Sequence, residues 1–240
     1  MAAGPQPADP KTQYDHCLSL AALNPAAALG VAGEWVRTRG GPPAEHCSAV
    51  ALVGLKRYPE AASKLDALGR APGVGDLRAS LFDQAGNAWL LAGDVPRAVA
   101  SFQAALALSG SDADLYADLA RAEAAGGNWR NVEADLNAAL ALAPKRADLL
   151  VLRASARHAL GNLKAARADV DWALMLKPNA AEALVERGSI ARDRGDMKAA
   201  RADFQAVLKQ GQVGEAADAA SRNLQALDAA SAKTRRPVKP

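Results

Sequence analysis

Gly93, Gly127, Gly161 and Gly195 stand 34 residues apart, followed by Asp94, Asn128, Asn162 and Asp196 and then by a large apolar residue, Val95, Trp129, Leu163 or Met197. A period of this length confines the chain to stacked copies of one supersecondary unit, because a single copy cannot bury its own apolar face. Three to four residues beyond the apolar position, helix formers carry the triplets Ala98, Phe102, Ala105; Val132, Leu136, Ala139; Ala166, Val170, Ala173; and Ala200, Phe204, Val207. Steps of four and then three residues set each triplet on one helix face. Pro144 and Pro178 stop the second helix in two copies, as a residue without a backbone N–H does. The Gly-Asp or Gly-Asn step is then the turn between two antiparallel helices. Composition agrees: 60 of 240 residues are alanine and 4% are aromatic, a balance that favours helices over sheets.

This pattern resembles the tetratricopeptide repeat, a 34-residue helix-turn-helix. The register is 79–112, 113–146, 147–180 and 181–214, and the small positions where the two helices cross read Gly86/Ala98, Ala120/Val132, Ala154/Ala166 and Gly188/Ala200. Val132 is the bulky departure. Residues 42–78 form a fifth, longer unit with Leu55, Tyr58, Ala61, Leu65 and Leu68 in matching places. Its extra residues fall in the Gly-rich stretch 69–75, which lacks the Lys-Ser/Thr ending of a phosphate loop and reads as an interhelical loop. Residues 11–41 form a degenerate leading pair, 215–230 a capping helix with Ala219, Leu224 and Leu227 inward, 1–10 a disordered start and 231–240 a basic flexible tail. The resemblance implies an all-α, right-handed superhelical solenoid.

It also implies a concave groove lined by the first helix of each unit, where a peptide or protein partner binds. The expected lining includes Asp83, Asn87, Leu90, Leu91, Arg121, Ser155, His158, Ser189, Arg192 and Asp193. The family's clamp for a C-terminal carboxylate wants a cation where Asp83 stands, so that subclass does not fit. Arg121 and Arg192 are the groups expected to hold an acidic partner by bidentate contacts. The function expected is a non-enzymatic scaffold or adaptor, with a self-assembling subunit or assembly factor of a cell-envelope complex, and hence a homo-oligomer, as the alternative.

Cys17 and Cys47 lie 30 residues apart in the parallel contexts Asp15-His16-Cys17 and Glu45-His46-Cys47. In the repeat register they fall on adjacent first helices, where a disulfide would tie the leading pair to the next unit. Reduced core cysteines and a His/Cys metal site are the other readings. Neighbouring helical residues point about 100° apart, which disfavours His16 and Cys17 aiming at one ion. No metal or cofactor is expected, and no hydrolase, Walker or dinucleotide motif suggests an enzyme.

With 29 basic and 26 acidic residues interspersed, net charge +3, nothing marks a nucleic-acid surface. The nearly apolar stretch 21–33 is too short for a membrane span. The start MAAGPQPADP lacks a secretory signal. A mature bacterial periplasmic protein is expected, in keeping with the disulfide, with a cytoplasmic protein as the alternative.

Overall fold

The protein is described here from a computed structural model covering residues 9–211 and 213–234, with the side chains of 232–234 not described. Among these residues there are thirteen α-helices and no strand. The chain divides into two units, residues 1–126 and 127–240. Unit 1 contains α1 (Pro10–Leu23), α2 (Pro25–Arg37), α3 (Gly41–Gly54), α4 (Tyr58–Arg70), α5 (Arg78–Leu91), α6 (Val95–Ser109) and α7 (Ala113–Ala125). Unit 2 contains α8 (Trp129–Leu142), α9 (Ala147–Ala159), α10 (Leu163–Leu176), α11 (Ala181–Asp193), α12 (Met197–Lys209) and α13 (Glu215–Thr234). Within each unit successive helices pack on one another and first helices also touch: α1 with α3, α5 with α7, α9 with α11 and α11 with α13.

Two boundaries differ from the sequence expectation. Pro10 belongs to α1 and Asp9 caps it: the Asp9 carboxylate accepts the amides of Lys11 and Thr12, and Pro10 takes the first turn, where a missing N–H costs nothing. At the other end α13 extends to Thr234, beyond the expected start of the tail. The rest of the expected free start, 1–8, and of the basic tail, 235–240, lies outside the described residues. In α13 the buried residues are Ala220 and Leu227, while Ala219 and Leu224 are half-buried.

The turn that sets the period has a local cause. Gly93, Gly161 and Gly195 take positive φ, and the next amide closes back onto the helix, from Asp94 to Trp89, Asn162 to Arg157 and Asp196 to Ala191. That closure satisfies carbonyls at the helix end. Asp94, Asn162 and Asp196 then cap the second helix through the amides of Arg97, Ala165 and Ala199. The second helices therefore begin at the apolar residue itself, three residues earlier than the triplets suggest. Between α3 and α4 the same left-handed position is held by Lys56. The connection after α4 is shorter than the expected loop 69–75: Gly69 and Arg70 close α4 and Gly75 opens a 3-10 turn, Gly75–Leu77, while Val74 is buried in the core of unit 1.

Core packing explains the small positions. A methyl group on Gly188 would lie 2.6 Å from the Phe204 ring, and one on Gly86 2.8 Å from the Phe102 ring. Where the position is Ala154, the residue sixteen further on is the smaller Val170, and both are fully buried. Gly188→Ala is therefore expected to destabilise unit 2 by up to about 2 kcal/mol, an overpacking cost of about 1–3 kcal/mol offset by about 1 kcal/mol of helix propensity. In a Phe204→Val background the same substitution is expected to stabilise. Denaturant midpoints of the four proteins check this, and a loss of equal size in both backgrounds would refute it.

Candidate functional site

In unit 1 the first helices α3 and α5 border an open hollow of about 220 Å³. Val50 and Val53 come from α3, Ala88 and Leu91 from α5, Leu65 forms the floor, and Gln84 and Asn87 stand at the rim. Leu91 is 59% exposed. Of the expected lining residues, Asn87 and Leu91 line this hollow; Leu90 packs against the core of unit 1.

Beside the hollow, one turn back along α5, Asp83 accepts the Asn87 amide both on its carboxylate, 3.2 Å, and on its backbone carbonyl, 3.1 Å. Burial and the charges of Asp118, Asp112 and Asp114 push Asp83 up to about 6. Burial likewise raises Asp118, against the pull of Arg121. Arg121 is paired to Asp118, three residues earlier on α7, so this cation is already engaged.

A second hollow of about 240 Å³ lies where α1, α3 and α5 meet the loop after α4, and includes Leu68, Val74, Leu77 and Leu81. His46 bridges its wall, with Nδ1 2.7 Å from the Tyr14 hydroxyl and Nε2 2.9 Å from Gln84 Oε1. His16 is exposed. Beneath, Cys17 and Cys47 are joined as a disulfide, Cα atoms 6.1 Å apart and both side chains fully buried.

In unit 2 the expected polar residues meet, but around each other. His158 on α9 places Nδ1 2.8 Å from Glu186 and Nε2 2.9 Å from Asp193, both on α11. Ser155 donates to the second oxygen of Glu186 at 3.0 Å. Arg192 pairs with Asp193 at 2.8 Å and donates to Asn223 on α13. Ser189 stands apart, its hydroxyl turned back to the Val185 carbonyl. Glu186 and Asn223 were not among the expected residues: they lie 28 and 31 positions beyond His158 and Arg192, off the 34-residue period, and no motif marks them. The Arg192 and Asp193 expected to face a partner are therefore engaged by their own unit.

Burial, the largest influence on His158, pulls the imidazole down, but its hydrogen bonds to Asp193 and Glu186 and their charges outweigh it and leave the pKa above 6.5. Only an imidazolium donates from both ring nitrogens. The Arg192 contact, followed by that of His158, holds the Asp193 carboxyl below its usual range. The stability His158 contributes is accordingly complete below pH 6.5 and is lost as the pH rises through its elevated pKa. An imidazole NMR titration is expected to show a midpoint above 6.5 that falls in Glu186→Gln; a midpoint at or below 6.5 in the unaltered protein would refute the arrangement.

Deeper in unit 2, Asp169 is buried, 4% exposed. It receives Arg153 in bidentate fashion at 2.9 and 2.7 Å and Arg157 at 2.8 Å. Arg187 and Asp203 repeat the bidentate pair one period later, at 2.9 and 2.6 Å. Asp171 does face outward, paired to Arg167 at 2.8 Å. Among the described residues no group of three or more His, Cys, Asp or Glu side chains is arranged to hold a metal, and no helix is long and apolar enough to cross a membrane.

No family sequence model matches the chain, and no curated protein sequence does. Solved structures do. The C-terminal part of a TPR repeat-containing protein from Cytophaga hutchinsonii superposes with a TM-score of 0.68 at 16% identity, over 82% of this chain and 78% of that one. MamA from Desulfovibrio magneticus RS-1 gives 0.59 at 19% identity, over 86% and 99%. YrrB, a TPR protein with an unusual peptide-binding site, gives 0.58 at 15% identity, over 74% and 90%. With the 34-residue register and its antiparallel helix pairs, these likenesses show that the chain has the tetratricopeptide-repeat fold.

Proposed function

We propose that the protein is a non-enzymatic interaction scaffold that holds a segment of a protein partner on the first-helix face of unit 1, in the hollow between α3 and α5. The observation that carries this reading is the hollow itself: aliphatic walls, two amide side chains at the rim and a largely exposed Leu91. A concave apolar site with a few convergent polar groups suits a peptide held by a side-chain anchor. The peptide-binding site of YrrB, a protein of the same fold, agrees with it. Peptides selected on the full chain from a random displayed library are expected to bind Leu91→Ala about ten-fold more weakly, as truncating a central anchor does. Undiminished binding to that variant would remove the hollow from the site.

Self-assembly is the second reading, favoured by Trp172 and Met175 on α10, which are 45% and 81% exposed. Concentration-dependent mass in light scattering, abolished by Met175→Glu, would support it. The buried Cys17–Cys47 pair favours an oxidising compartment such as the periplasm. Free thiols in freshly isolated protein would speak for the cytoplasm.

A further inference from the structure

Resting on the reading of unit 1 as a partner-binding surface, we infer that the bound segment is cationic, an apolar side chain seated between α3 and α5 with Lys or Arg directed at Asp83 and Asp118. Asn87 joins the two halves of this site: its side chain lines the hollow and donates to the Asp83 carboxylate. Residues a turn apart on a helix lie about 5–6 Å apart, so one extended segment reaches both with neighbouring side chains.

Three carboxylates press on Asp83. Asp118, Asp112 and Asp114 each oppose its ionisation. Arg121, the cation on the facing helix, is paired with Asp118. Asp112 is occupied at the start of α7, accepting the amides of Asp114 and Leu115. An incoming cation turns this mutual repulsion into attraction, whereas an incoming carboxylate adds to it. The long apolar stems of Lys and Arg also pack along aliphatic walls while the head group reaches a rim carboxylate. This reverses the preference expected from Arg121 and Arg192, because both arginines are engaged within their own units.

Net charge gives no help to a cationic ligand, since the whole chain carries +3. Selective retention therefore reports the local site. The test uses three fluorescein-labelled peptides with one leucine pattern and Lys, Gln or Glu at all other positions, titrated by anisotropy onto the full chain at low salt. The Lys peptide is expected to bind about ten-fold more tightly than the Gln peptide and the Glu peptide more weakly still. In the Asp83→Asn, Asp118→Asn protein the Lys peptide is expected to fall to the level of the Gln peptide. Equal binding of all three, or a Lys preference that survives both substitutions, overturns the charge assignment. A Glu preference overturns it too. Loss of every peptide from Leu91→Ala with no charge ranking leaves the hollow as the site and removes only the cationic partner; equal binding to Leu91→Ala and the unaltered chain removes both.

Discussion

An Asp169→Ala variant is expected to lose about 3–5 kcal/mol, the cost of removing one partner from a buried ion pair and leaving the others uncompensated. Arg153 and Arg157 both depend on this carboxylate, with side chains only 15% and 18% exposed. Arg153 retains Asn137 at 2.8 Å and Arg157 retains Glu133 at 2.7 Å, which does not replace the lost bidentate contact. Asp203→Ala is expected to cost less, because Arg187 is 28% exposed and also lies 3.9 Å from Asp171. Replacing the bidentate pair together, Arg153→Met with Asp169→Leu, is expected to recover most of that loss, because desolvation of the two charges disappears with their attraction, but not the share that Arg157 loses with its contact to Asp169. Denaturant midpoints measure the losses and hydrogen exchange places them in α9 and α10. A loss under about 1 kcal/mol for Asp169→Ala, the range of an exposed pair, would sink this account.

Reducing the disulfide is expected to cost about 3–4 kcal/mol on the chain-entropy model. The bond closes a loop of sequence separation 30 between α1 and α3. The loss should concentrate in α1 and α2, because among the described residues the leading pair packs on α3 and its two buried clusters, Cys17, Ala32, Cys47 and Ala21, Ala28, Ala51, are small. After reduction α1 keeps its Tyr14–His46 hydrogen bond, which is worth about 1 kcal/mol. Hydrogen exchange with and without reductant checks this. Protection of α1 and α2 unchanged by reduction would show that packing alone holds the pair. A Cys17→Ala, Cys47→Ala protein is expected to match the reduced one, separating the bond from any effect of free thiols.

Much of the fold is legible in the sequence because its causes are local and periodic. Gly at the left-handed position, Asp or Asn as the next residue and an apolar face every three to four residues act within a single turn or helix, and they recur every 34 residues. Arg153/Arg187 and Asp169/Asp203 obey the same period, so the buried pair is also written there, though burial cannot be read from charged letters alone. The identity of the interacting polar groups is another matter. Arg121 and Arg192 look like free cations along the chain, yet Asp118 engages one and Asp193 with Asn223 the other.

The helix pairs, their turns and the small residues at their crossings can be read along the chain, since each follows from backbone conformation and spacing within one repeat. Which side chains remain available to a partner is settled by packing between helices. His158 meets Asp193 across 35 residues and Arg192 meets Asn223 across 31. Such pairings depend on the packing of one helix against another, and that distance rule, unlike a turn or a cap, is not encoded in any one stretch of chain.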